Sequence, residues 1–128
     1  MENNLLIVLG NQLFPLEELK KYNFNRILMI EDYELCTYEK HHKSKILLFL
    51  TSMREYRDSL SSLEAKIHYF ELSKRNKSFF ENLSKIIDDN KIDNLLYFNP
   101  ADKDFGDKLK KFINSSGKNS IQLENPMF

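Results

Sequence analysis

Five short apolar or β-rich runs punctuate the chain, at Leu5 to Leu9, Arg26 to Ile30, Lys66 to Leu72, Asn94 to Phe98 and Ser120 to Leu123. Polar or turn-forming residues bound each run, as strand ends require. The first run is continuous rather than alternating and stops at Gly10, the pattern of a parallel strand buried on both faces. Between the runs the apolar spacing changes to threes and fours. Ile46, Phe49, Leu50, Met53, Tyr56 or Arg57, Leu60 and Leu63 form one stripe that predicts a long amphipathic helix. Phe79, Phe80, Leu83, Ile86 and Ile87 predict a second. Phe105, Leu109, Phe112 and Ile113 predict a third, which Gly117 can close in the left-handed conformation that glycine tolerates. Leu16 and Leu19, after Pro15, allow a short helix with proline in its first turn. Strand and helix therefore alternate as far as a fifth strand. Such alternation predicts a three-layer, doubly wound α/β fold, with a parallel five-stranded sheet, helices on both faces and right-handed crossovers. The pattern alone does not order the strands.

A length of 128 residues suits one domain around one core, and no repeat, low-complexity linker or composition shift marks a second. Basic and acidic residues both count 19, so the formal net charge is zero and no overall field draws in nucleic acid or a membrane. Strong DNA binding by this domain alone is not expected. A local excess does exist: from Cys36 to Arg57 five bases (Lys40, Lys43, Lys45, Arg54, Arg57) face two acids (Glu39, Glu55). Cys36 is the only cysteine, which excludes an internal disulfide and a zinc or iron-sulfur site built on several cysteines. With no basic region ahead of the first apolar run, and that run ending at Gly10, a cytoplasmic protein is expected.

Open parallel sheets bind ligands beyond the carboxyl ends of their strands, near the point where strand order reverses. Three loops at such ends are chemically rich. Gly10, Asn11 and Gln12 offer a close backbone approach followed by two amides that each donate and accept, which suits a heteroaromatic ring. The Glu31 to His42 loop is longer than most strand-to-helix connections. Within it Glu31 and Asp32 can accept hydrogen bonds from ring or ribityl groups, Tyr38 can stack, and His41, His42 and Lys43 open the long helix, whose free amides can hold an anion. Asn99-Pro100-Ala101-Asp102 forms the third loop. Each residue also has a plain structural role open to it. Asn11 and Gln12 can satisfy turn backbone, Glu31 and Asp32 can be solvated charges, Tyr38 can pack on the sheet, and the basic run can be a wet helix end.

Metal and catalytic motifs are missing. His41 and His42 are adjacent and diverge on a helix, and no His-x-x-x-His occurs. Cys36 has no identifiable partner set, and the serines follow no nucleophile-elbow motif. Neither Gly-x-Gly-x-x-Gly nor a P-loop is present. His68, within the third strand run, reads as a packed or edge residue.

The run Glu31 to Ile46, with Tyr38 followed by His41-His42-Lys43-Ser44-Lys45-Ile46, then Phe49 and Ser52-Met53-Arg54, resembles the N-terminal domain of the deoxyribodipyrimidine photolyase-related family, its iron-sulfur photolyases and cryptochromes. Gly10-Asn11-Gln12-Leu13 is similar to that family's Gly-Asp-Gln-Leu, and Asn99-Pro100-Ala101-Asp102 sits where the family has a proline-small-acid turn. The resemblance implies a Rossmann-like sheet of order 3-2-1-4-5 holding an antenna chromophore, typically 6,7-dimethyl-8-ribityllumazine, at Gly10, Asn11, Gln12, Glu31, Asp32, Tyr38, His41 and His42. It also implies a helical domain, in cis or trans, that binds FAD and a 4Fe-4S cluster and carries light-driven DNA repair or photoreception. This chain reaches Pro126-Met127-Phe128 where relatives continue into that helical part, so no repair activity is expected of it alone. Asn11 replaces the usual aspartate, which removes a charged acceptor; a hydrogen bond to a charged group contributes roughly 1.5–3 kcal/mol. Two alternatives stay open: an interaction domain that docks to a separate flavin-binding partner, and a small α/β nucleotide-binding protein.

Overall fold

A computed structural model describes residues 3–10, 12–31, 43–71, 79–100 and 103–124, with backbone alone for 43–49. Five strands, β1 (Asn4–Ile7), β2 (Arg26–Ile30), β3 (Lys66–Phe70), β4 (Asn94–Phe98) and β5 (Asn119–Leu123), form one parallel sheet in the order β3-β2-β1-β4-β5. The helices are α1 (Leu16–Leu19), α2 (Lys43–Ser59), α3 (Phe79–Asp89) and α4 (Lys103–Ser116). This is the Rossmann-like order expected.

Side-chain alternation along the strands divides the core into two layers. Leu5, Ile7, Leu28, Ile30, Leu95 and Tyr97 face α3 and α4 through Phe79, Leu83, Ile86, Leu109 and Ile113. Leu6, Ile27, Met29, Leu96, Phe98 and Leu123 face the other way, toward Leu19 of α1 and Met53 of α2. Both sides of β1 are thus buried, which is why its sequence is a continuous apolar run.

Three elements stop short of the sequence pattern at their carboxyl ends. The first run extends to Leu9, yet β1 ends at Ile7: Val8 still donates to the Leu28 carbonyl at 3.0 Å, and Leu9 then turns to accept from the Gln12 amide at 2.9 Å. Leu9 is buried as a loop residue. The third run extends to Leu72, whereas β3 ends at Phe70 and Glu71 is exposed. The long stripe continues to Leu63, but α2 ends at Ser59 and tightens into a 3-10 turn, Leu60–Ser62. Serine hydroxyls drive that change. Ser59, Ser61 and Ser62 donate to the Tyr56, Asp58 and Ser59 carbonyls at 2.6, 2.9 and 3.1 Å, competing with helix amides for the same acceptors.

Asparagine amides stitch the amino-terminal end of the sheet. The Asn4 amide accepts from Asn94 Nδ2 at 2.7 Å and donates to the Asn23 carbonyl at 3.2 Å, while Asn25 Oδ1 accepts from the Asn4 backbone at 2.9 Å. At the same end Arg26 Nη1 donates to His68 Nε2 and to Asn90 Oδ1, both at 3.1 Å. His68 lies on edge strand β3 and is half-buried, a packed edge residue as its sequence context predicts. No helix among the described residues is long and apolar enough to cross a membrane.

Candidate functional site at the strand carboxyl ends

With order β3-β2-β1-β4-β5, the chain leaves β1 toward β2 on one side and returns to its other side at β4. The reversal falls between β1 and β4, so the crevice beyond their carboxyl ends is where this fold holds ligands. Gln12 occupies that point. It is 2% exposed, and its Nε2 donates to the Phe98 and Asn99 carbonyls, both at 3.3 Å, bridging the turn after β1 to the end of β4. Its other amide atom, Oε1, is buried with no hydrogen-bond partner among the described residues. An orphaned buried carbonyl is costly, by about 1–3 kcal/mol, and such groups are rare in native proteins unless a ligand or water completes them.

The turn carrying Gln12 is held firmly. Phe14 returns an amide to the Gln12 carbonyl at 2.9 Å, packs edge-on against Phe98 at 4.9 Å, and offers its own carbonyl to the Tyr56 hydroxyl of α2 at 2.6 Å. Burial pushes the Tyr56 phenol up to about 12, so it stays a donor across the physiological range.

A second group of residues forms at the end of β2. The Glu31 side chain is fully buried, and its backbone amide donates to the Phe70 carbonyl of β3 at 2.8 Å. Arg54 of α2 grips the carboxylate through both oxygens, Nε to Oε2 at 2.8 Å and Nη2 to Oε1 at 3.0 Å. The Tyr69 hydroxyl donates to Oε2 as well. These bonds, and the carboxylate charge beside it, hold Arg54 more firmly protonated than usual. Tyr69 is pushed upward by burial first and by its bond to Glu31 second. Its ring carries the Arg57 guanidinium 4.6 Å above it, a cation-π contact, and Arg57 reaches Glu71 at 3.5 Å. The Arg54 side chain remains 43% exposed, and Nη1 lies outside the bidentate pair. Chemically, this end of the sheet presents a fixed cation backed by a buried acid.

The family model of deoxyribodipyrimidine photo-lyase-related protein matches residues 6–128. The chain belongs to that family. No curated protein matches it. The family match runs from within β1 to beyond β5 and so takes in both groups of residues just described.

Of the positions expected to contact a chromophore in this photolyase-related chain, Gly10, Gln12 and Glu31 are described, and all three are buried at strand carboxyl ends. Asn11, Asp32, Tyr38, His41 and His42 lie outside the described residues, as do Ala101 and Asp102. Gln12 and Glu31 come from opposite sides of the β1 end, one toward β4 and one toward β3. Glu31 is not a solvated loop charge.

Sequence reasoning did not single out Arg54 and Tyr69 as partners of Glu31. The available signal was position: Arg54 adjoins Met53 on the inward stripe of α2, and Tyr69 lies near the carboxyl end of β3, paired with Met29 of β2. A groove of about 420 Å³ beside Tyr22, Leu96 and Ile121 lies elsewhere, on the α1 face of β4 and β5, away from these residues. Among the described residues no group of three acids, histidines or cysteines could hold a metal ion.

Proposed function

We propose that this domain holds an antenna chromophore of the 6,7-dimethyl-8-ribityllumazine class for a flavin-binding helical domain, in cis or trans, within a photolyase-related system of light-dependent DNA repair or photoreception. The observation that carries the proposal is the orphaned Gln12 Oε1, a buried acceptor at the strand-order reversal of a sheet whose family is known. A lumazine carries polar groups for both clusters at the strand carboxyl ends, with ring and ribityl donors for an acceptor and ring carbonyls for a cation. Gln12 Oε1 would accept from such a donor, and the outer corner of Arg54 would donate to a carbonyl. Buried Glu31 would act mainly by fixing Arg54. Gly10, Asn11, Asp32, Tyr38, His41 and His42 complete the proposed contact set.

When bound, such a pigment absorbs light and passes the excitation to a flavin. The protein's part is then to bind, orient and exclude water, and that part needs no acid, base or nucleophile. Gln12 and Glu31 fit the part, since both are rigidly bonded and removed from solvent.

A thermal-shift screen of the intact chain against lumazines, flavins and nucleotides tests the proposal. A ligand at a hundred times its dissociation constant stabilises the folded state by about 2.7 kcal/mol, a clear rise in melting temperature. The lumazine is expected to give that rise. Stabilisation by nucleotides and not by lumazine would contradict the proposal and favour a small α/β nucleotide-binding protein.

A further inference from the structure

At the far edge of the sheet, β5 pairs with β4 on one side, and among the described residues no strand covers its other side. Four of its five residues, Asn119 to Gln122, are exposed. Ile121 is 52% exposed and is the one large apolar side chain so exposed among the described residues. The strand itself carries neither proline nor charge, the two devices that usually guard an open edge.

The backbone fixes which groups face outward. The Asn99 amide donates to the Leu123 carbonyl at 3.2 Å, so Leu123 turns its peptide groups toward β4. Strand alternation then turns those of Ile121 and Asn119 the same way, leaving Ser120 and Gln122 to present N–H and C=O outward. Ile121 pairs in register with Leu96, so its side chain lies on the α1 face, beside the groove of about 420 Å³ that Tyr22, Leu96 and Leu123 help to line.

We propose that this edge pairs with the β5 edge of a second copy of the chain, antiparallel about a two-fold axis at Ile121, joining two sheets into one. Only an antiparallel register can be two-fold symmetric, and the Ile121-centred one satisfies every outward group. Ser120 meets the partner's Gln122 as a hydrogen-bonded pair, each exchanging two backbone bonds. Ile121 meets the partner's Ile121 as a non-hydrogen-bonded pair, the closer kind, with Cα atoms about 4.5 Å apart. The same register sets Lys118, just before the strand, opposite the partner's Glu124, just after it, and repeats that opposite-charge pair across the axis. The edge is thus self-complementary in hydrogen bonding, apolar contact and charge. An edge-to-edge interface is small, so the dimer should be concentration-dependent.

Sedimentation equilibrium of the whole chain from micromolar to near-millimolar concentration tests this. A reversible monomer–dimer equilibrium is expected. Ile121→Lys, which sets two ammonium groups face to face at an exposed position, should leave only monomer, with circular dichroism and melting temperature verifying an intact fold. Lys118→Glu should weaken the dimer by about tenfold through like-charge opposition, and Lys118→Glu combined with Glu124→Lys should restore it. A chain that is monomeric at every concentration would overturn the proposal, the edge then being left to another segment or protein. A dimer that Ile121→Lys leaves intact, or charge reversal that is not restored by the double exchange, would overturn it as well.

Discussion

Taking a carboxylate out of water costs several kcal/mol unless its partners are close and well aimed, and Glu31 meets that condition through Arg54 and Tyr69. The two ends of the ion pair are unequal, because Arg54 is partly exposed and Glu31 is not. Arg54→Ala should therefore destabilise the fold by about 3–5 kcal/mol, since it removes the countercharge of a buried carboxylate. Glu31→Gln should cost less, about 1–3 kcal/mol, because water can solvate the released guanidinium. Urea unfolding of the two variants measures the difference; equal losses would contradict the asymmetry. His68 supplies a test of pH. A guanidinium only donates, so His68 Nε2 must accept from Arg26 as a bare lone pair, and burial, then Arg26 and Lys66, lowers its proton affinity below the ordinary value of 6.5. With a folded value below the unfolded one, its contribution is full above about 6.5 and is lost as pH falls toward the lowered value. His68→Gln should flatten that part of the stability profile, and a profile of unchanged slope would remove His68 as its source. At this scale Glu31 was legible as a strand-end acid, but its partners were not. Arg54 and Tyr69 lie 23 and 38 residues away in sequence, and no local pattern pairs groups at such separations.

Helix α4 joins the residue scale to that of the element through its two glycines. Gly117 closes the helix with φ 72°, so Gly117→Ala should cost about 1 kcal/mol, the penalty of a β-carbon in the left-handed region. Gly106, buried within the helix, has room for one. A β-carbon there would meet the Pro100 ring at 3.7 Å, an ordinary contact, and Gly106→Ala should raise stability by about 0.5–1 kcal/mol. Thermal melts of both variants check the opposite signs. The elements themselves were legible because each depends on local periodicity: β2 and β4 begin and end where their apolar runs do, and Gly117 stops α4 as its position predicts. Element ends were less so where a competing bond decides them. Leu9 leaves β1 to accept the Gln12 amide, and serine hydroxyls convert the last turn after α2. Strand order has no local signal at all, since it depends on which edge each crossover returns to, and it entered through resemblance alone.

Across the whole molecule the two ends of the sheet have different work. The amino-terminal end is closed by asparagine amides and the Arg26–His68–Asn90 contacts. The carboxyl-terminal end carries the Gln12 bridge, its unsatisfied acceptor and the Arg54 cation, where parallel folds place their ligands. The family match reaches across this end, from within β1 to beyond β5, and the proposed antenna role assigns its polar groups to binding a pigment. The most direct measurement is a fluorescence titration of 6,7-dimethyl-8-ribityllumazine into the intact chain and into Gln12→Met, which removes the orphaned oxygen together with the Nε2 bonds to the Phe98 and Asn99 carbonyls while keeping an unbranched side chain, circular dichroism verifying that the fold is intact. Saturable quenching is expected with the natural sequence, and affinity about tenfold weaker in the variant, the loss of one buried hydrogen bond. Fluorescence unchanged to high micromolar protein, or equal affinity in the two proteins, would contradict an antenna site built on Gln12.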